Sequence, residues 1–280
     1  MTGVFLATSL SPGRLLAGLA TAALLVSVLV ACTPDEAPDA LALQLKYIDL
    51  QGQIQQRPYD VEAYEALPDF VSISDIPTRK QAFFDYMTPP IAFQNEVLRE
   101  RRLVLAAIQA SAEAGVELSA TQNDFMALMR KRYRIPEEAT DAEALLMLDR
   151  RIDAIPPSMV LSQAAMESAW GTSRFATKAN NLFGQWCYRE GCGLVPKSRP
   201  SEARHEVAKY DRVDLAVQSY FRNINTHPTY AELREIRQQA REQGREPTGI
   251  EMVGGLGNYS ARGDDYIEEL RDMISYNGLE

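Results

Sequence analysis

The chain has 280 residues, 46% of them apolar and 24% charged. That is ordinary globular composition, enough for one large domain or two small ones, and it excludes wholesale disorder and a polytopic membrane protein. Acidic side chains outnumber basic ones 38 to 29, a net charge of −9, which is the wrong sign for a protein whose partner is nucleic acid.

Near the start of the chain Arg14 is followed by an apolar stretch, Leu15 to Ala31. This is short of the ~20 residues of a spanning helix and typical of the apolar region of a secretory signal peptide. Leu29-Val30-Ala31-Cys32 resembles a bacterial lipobox, so residues 1–31 are read as a signal peptide and Cys32 as the lipidated residue, with an uncleaved anchor as the alternative. Several acyl chains on one cysteine give stable membrane anchoring without a spanning helix. Thr33 in place of Asp points, by the sorting rule of Gram-negative bacteria, to the outer membrane. With Cys32 assigned to lipid, Cys187 and Cys192 are left in one short loop, and an oxidising periplasm lets them pair. Only His205 and His227 could join them at a metal, at no finger-like spacing, so no metal site is expected.

Residues 32–78 read as a tether and an irregular segment, acidic and Pro-rich at first and then broken by Pro58, Pro68 and Pro77. An N-terminal helical segment follows over 79–150. Its periodicity starts near Arg79, is interrupted at Pro89-Pro90, and resumes with Ile91, Leu98, Leu105, Ile108 and Ala112 on one stripe. Ser119 with Gln122 and Thr140 with Glu143 read as capping boxes of two further helices. The first carries Phe125, Leu128 and Met129 inward, the second Ala144, Leu145, Leu148 and Ile152. The basic run Arg130, Lys131, Arg132, Arg134 reads as a solvated helix face.

The C-terminal domain, 151–280, holds the informative residues. Pro156-Pro157 suits a helix opening and Gly171 its end. Residues 205–210 alternate as a short strand of a small hairpin would, and three helices follow, marked by Val213, Val217, Tyr220 and Ile224, then Tyr230, Leu233, Ile236 and Ala240, then Ile267, Leu270 and Ile274. The class is mostly α with a minor β lobe. Glu167 is chemically odd: at helical spacing it shares a face with Val160, Gln163, Ala164 and Trp170. Burial there disfavours its charged form, and a carboxyl still protonated near neutrality can act as the general acid that breaks a glycosidic bond. The alternative is a surface glutamate on a helix that happens to be apolar.

The strings Gln163-Ala164-Ala165-Met166-Glu167-Ser168-Ala169-Trp170-Gly171-Thr172-Ser173-Arg174-Phe175 and Asn180-Asn181-Leu182-Phe183-Gly184 closely resemble the glucosaminidase family of peptidoglycan hydrolases. The continuation through Gln185, Trp186 and Cys187 to Cys192, with His205-Glu206-Val207 and Asn225-Thr226-His227-Pro228 further on, is similar to its Bax-protein branch. This resemblance implies a lysozyme-like helical fold with a small β-hairpin lobe, and cleavage of β-1,4 bonds on the GlcNAc side of peptidoglycan. It implies no cofactor. Glu167 takes the place of the family's catalytic acid. Tyr259, in Gly257-Asn258-Tyr259-Ser260 with Tyr266 further on, takes that of its catalytic tyrosine, with a structural tyrosine as the alternative. A second carboxylate on the β lobe falls to Glu206 or Glu202, and the family's Thr-x-Glu pattern is absent there. Asn181, Phe183, Trp186 and Tyr188 are the substrate-binding candidates, Phe183 and Trp186 being equally suited to the core. A muramidase or lytic transglycosylase on the same polymer, and an idle envelope lipoprotein that only binds peptidoglycan, remain alternatives. So do retaining, inverting and substrate-assisted routes, which differ in the separation of the reacting groups.

Overall fold

The structure is a computed structural model and describes residues 57–197, 199 and 202–280. The expected signal peptide, the lipidated Cys32 and the first part of the tether lie outside these residues. Among the described residues, no helix is long and apolar enough to cross a membrane.

Nine α-helices, four 3-10 turns and three short strands build the described part. The described part of the irregular segment, from residue 57, holds two 3-10 turns, Glu62–Tyr64 and Phe70–Ser72, whose Tyr64 and Phe70 are buried in the core. Helix α1 then runs without interruption over Ile76–Glu113, with Asp75 as its cap and Pro89 and Pro90 inside it. The expected break at the two prolines does not occur, and the reason is non-local. A proline at position 90 leaves the carbonyl of Tyr86 without its helical donor, and the Tyr64 hydroxyl donates to that oxygen instead, at 3.1 Å. The α1 stripe is buried at Ile91, Leu98, Leu105 and Ile108 and ends before Ala112, which is exposed.

Both predicted capping boxes are present, Ser119 opening α2 (Ala120–Arg132) and Thr140 opening α3 (Asp141–Arg151). Phe125 and Met129 point inward with Met126, while Leu128 is only half-buried. Helix α4 (Pro157–Ser168) has its residues from Ser158 to Ala165 all buried, the mark of a helix enclosed on every side. It packs against α1, against the short α8 (Gly249–Met252) and against the last helix, α9 (Asp264–Tyr276). Its end comes at Ser168, three residues before the expected Gly171, because Ala169 already adopts a left-handed conformation at φ 49°.

Helix α5 (Arg174–Ala179) leads into a three-stranded antiparallel sheet. Strand β3 (Glu206–Ala208) lies between β1 (Trp186–Cys187) and β2 (Gly193–Leu194), with Cys187 opposite Glu206 and Gly193 opposite Ala208. The expected alternation of β3 is absent: all three of its residues are buried, since it is paired on both edges and α5 packs against it. Helices α6 (Val213–Thr226) and α7 (Ala231–Glu242) complete the body, with their marker residues inward except Ile236, which is partly buried. The architecture is thus mostly α with a small β lobe, as the sequence indicates.

Candidate active site

The site begins with how α4 ends. Ala169, Trp170 and Gly171 are three successive residues with φ of 49°, 59° and 75°, and each non-glycine member costs about 1–2 kcal/mol in this region. Local bonds hold them there. The Ser168 hydroxyl donates to Ala164 O at 2.6 Å and accepts from Gly171 N at 2.8 Å, while Trp170 N donates to Ala165 O. The Trp170 ring is wedged edge-on against Phe83 and Phe84, with the Lys80 ammonium over its face. Position 171 must be glycine for a second reason: a Cβ there would stand 2.6 Å from the Phe70 ring. The sharp stop leaves Glu167 on the last turn of a buried helix, half-buried itself.

Burial pushes the Glu167 carboxyl above the ordinary carboxylate range, and a hydrogen bond from Tyr266 and the charge of Arg262 draw it only part of the way back. The Tyr266 hydroxyl belongs to a buried relay: it accepts from Gln163 Nε2 at 2.9 Å, and Gln163 Oε1 in turn accepts from the Tyr220 hydroxyl. Burial and the nearby Glu167 charge keep the Tyr266 hydroxyl protonated far beyond neutrality. Gln163 is therefore fully committed, one turn below the acid, to fixing the phenol that touches it. Helical spacing puts Gln163 on the Glu167 face, but nothing in the sequence gives the Tyr266 phenol this role.

Tyr259 stacks on Tyr266 with ring centroids 5.5 Å apart, and its hydroxyl donates to Phe183 O at 2.6 Å. Burial raises its pKa, with Tyr266 and Glu167 adding to the effect. Its hydroxyl is thus spent on a backbone carbonyl of the Asn180–Gly184 turn. That turn reaches the acid at Gly184, where φ is +64° and a Cβ would lie 3.5 Å from Glu167 Oε2.

Two of the substrate-binding candidates are corrected. Asn181 is 1% exposed and donates to Gln185 O and Ala208 O while accepting from Phe183 N and Gln185 N, so its amide organises the turn and has nothing left for a sugar. Phe183 is 2% exposed and stacked on Tyr220 at 4.1 Å, which makes it core. Trp186 and Tyr188 are instead 57% and 72% exposed. The Trp186 indole lies flat on His205 at 4.0 Å, which steadies a ring otherwise open to solvent.

Cys187 and Cys192 form a disulfide with Cα atoms 6.2 Å apart. Glu206 closes the same loop from β3: its two carboxylate oxygens accept from Gly191 N at 3.1 Å and Gly193 N at 2.8 Å. Those amides hold its pKa below the ordinary range. Glu206 is accordingly an anion turned onto the loop, its pKa moved in the opposite direction from that of Glu167. Glu202, its alternative, is exposed. Glu206 also lies near both cysteine sulfurs, but sulfurs bonded to each other are not the thiolates a metal needs.

A half-buried carboxyl with a raised pKa, fixed by a phenol beside the Gly184 turn, is an arrangement suited to acid-assisted cleavage of a glycan. The family model agrees in kind. Residues 142–279 match the family model described as mannosyl-glycoprotein endo-beta-N-acetylglucosaminidase. Protein bax of Escherichia coli (strain K12) is 32% identical over 213 residues, covering 76% of this chain and 74% of that protein. Among solved structures, the catalytic domain of the autolysin Auto from Listeria monocytogenes aligns with a TM-score of 0.40 at 17% identity, over 75% of this chain and 90% of that one. The length and identity of the bax match, together with the family model across the residues that build the site, show that the chain belongs to the glucosaminidase family.

Proposed function

We propose that the chain is a peptidoglycan hydrolase that cleaves the β-1,4 bond on the GlcNAc side of the glycan, with Glu167 as general acid. The observation that carries this reading is the environment of Glu167: a carboxyl whose burial favours the protonated form, held by Tyr266 beside the Gly184 turn. Protonated, it donates to the leaving glycosidic oxygen as the bond breaks, and the resulting carboxylate is stabilised by the same phenol and by the Arg262 charge. Trp186 and Tyr188 supply faces on which sugar rings pack, and family membership makes the polymer cell-wall glycan. The protein acts in the bacterial cell envelope, tethered through a lipidated Cys32 to the outer membrane.

The partner of the acid in this reading is the substrate itself. A carboxylate whose two oxygens are both engaged by amides, as in Glu206, is a weak nucleophile, whereas an N-acetyl sugar carries an amide oxygen that can attack its own anomeric carbon. Tyr259 then serves by holding the Phe183 carbonyl and stacking on Tyr266.

The test is mass spectrometry of the fragments released from purified peptidoglycan by the full-length protein and by Glu167→Gln. Fragments ending in reducing GlcNAc are expected from the wild type, and the substitution should slow their release by about 10²–10⁴-fold, the usual contribution of a general acid. Reducing or anhydro-MurNAc ends would assign the protein to muramidases or lytic transglycosylases. Binding to sacculi with no fragments from either form would make it an idle binding module.

A further inference from the structure

The basic run at the end of α2 is solvated at Lys131 and Arg134, as expected, and the face it forms is concave. Lys131, Arg132 and Arg134, joined by Arg222 from α6, line one cavity of about 850 Å³ in which Asp124 is the single acid. Arg132 and Arg222 also line a much smaller recess next to it, with Arg101 and Tyr133. Arg101 is buried there, its Nη1 donating to the Tyr133 hydroxyl at 3.1 Å. Arg134 is held in a left-handed conformation, φ 57°, at the turn that ends α2.

This is an unfavourable way to arrange charge in a protein of net −9. Burial, and then the charge of Arg101, push the pKa of the Arg132 guanidinium down to about 10, and Arg222 adds to the effect. Like charges gathered around a concave surface raise one another's energy until an anion arrives. Several other guanidinium groups lie on carboxylates, Arg237 and Arg241 on Asp153, Arg57 and Arg212 on Asp214, while the buried Arg234 is held by the carbonyls of Ile224 and His227. Among the described residues, neither Lys131, Arg134 nor Arg222 is in an ion pair.

We infer that the cavity between the end of α2 and α6 is a binding site for a phosphate-bearing anion, built on Lys131, Arg134 and Arg222. These three cations against one carboxylate leave a surplus that a single carboxylate ligand does not match and a phosphate group, with more charge and more acceptor oxygens, does. Guanidinium forks suit phosphate oxygens in pairs, and the lysine adds a point charge at the rim. None of these residues belongs to the Glu167 site, so the inference stands apart from the proposed activity. The phosphate can come from a membrane lipid headgroup or from a free phosphate ester, and the two are separable with soluble probes.

The test is isothermal titration of the full-length protein, at fixed ionic strength, with inorganic pyrophosphate, with sodium acetate, and with glycerophosphoglycerol, the deacylated headgroup of phosphatidylglycerol. Pyrophosphate is expected to bind and acetate not to. Arg222→Glu, an exposed position on α6, should weaken pyrophosphate at least about tenfold, the loss of one charge-assisted hydrogen bond. Arg245→Gln, a surface arginine paired with Glu251, should leave it unchanged, and neither variant should alter glycan cleavage. Binding of glycerophosphoglycerol would identify a lipid phosphodiester as the ligand, and pyrophosphate binding without it a free phosphate ester. No heat with pyrophosphate, equal affinity for acetate, or an undiminished affinity in Arg222→Glu would overturn the inference.

Discussion

At the scale of single residues, Glu167 and Glu206 show how the surroundings move the pKa of one side-chain type in opposite directions. Glu206 receives two amide donors and is held ionised, whereas Glu167 loses water and gains one phenol. Because the folded pKa of Glu167 is raised, its ionisation disfavours the native state once the pH passes the unfolded value of about 4.3. The cost grows with pH until the folded pKa is passed. Glu167→Gln should therefore raise Tm at neutral pH, with the gain vanishing in melts below about pH 4, where both forms are neutral. An equal gain at both pH values would mean that Glu167 is not shifted. Tyr266→Phe makes the complementary prediction. It removes the hydrogen bond that lowers the Glu167 pKa, so the alkaline limb of the pH–rate profile should move to higher pH while the rate falls. It also strands the buried amide of Gln163, at a cost of about 1–3 kcal/mol. An alkaline limb that stays in place would show that Tyr266 does not touch the acid.

At the scale of elements, α1 shows where local reading succeeds and where it stops. The caps at Ser119 and Thr140 and the stripes of α2, α3 and α6 are legible because each depends on residues within a turn or two of one another. The passage of α1 through Pro89-Pro90 is not, because it depends on Tyr64, which lies in a segment that carries little periodicity of its own. If the Tyr64 hydroxyl compensates for Pro90, the two substitutions must be coupled. Tyr64→Phe should cost about 1–3 kcal/mol in the wild type, where it leaves the Tyr86 carbonyl unbonded. In a Pro90→Ala background the cost should shrink, since an alanine N–H at that position restores the helical donor. Denaturant melts of the four proteins give the coupling directly, and additive losses would rule the compensation out. The candidate site divides in the same way. The apolar surroundings of Glu167 are legible from its own helix. Tyr266 bonds to Gln163 across a sequence separation of 103, and the enclosure of Asn181 and Phe183 depends on the strand at Ala208 and on Tyr220. No spacing rule connects residues so far apart.

At the scale of the whole molecule, the position of the acid depends on a buried polar cluster that delivers the chain into α4. Asp153 receives Arg241 at 2.8 and 3.1 Å and lies 3.6 Å from both Arg237 and Arg102. Arg237, fully buried, also donates to the carbonyls of Arg150 and Ala154 and to Asn225, which ties the end of α3 and the α3–α4 linker to α6 and α7. The Asn95 side chain brackets Ile155 through both its N–H and its carbonyl. The linker is thus fastened from α1, α6 and α7 just before Pro157 starts the helix that carries Glu167. Burial alone would raise the Asp153 pKa, but the charge of Arg237, the hydrogen bonds of Arg241 and the charge of Arg102 outweigh it and leave the pKa lowered. With its folded pKa depressed, Asp153 contributes its stability fully above the unfolded value of about 3.9, and the contribution is lost as the pH falls through the folded value. Asp153→Asn leaves Arg237 buried against a neutral partner and should cost about 3–5 kcal/mol at neutral pH. For a described body of this size, that is a fall in Tm of roughly 6–20 °C. The difference from wild type should narrow as the pH drops below the unfolded carboxylate range. If instead the melting temperatures coincide at pH 7, the cluster does not secure the linker, and the placement of Glu167 has to come from the packing of α4 against α1, α8 and α9.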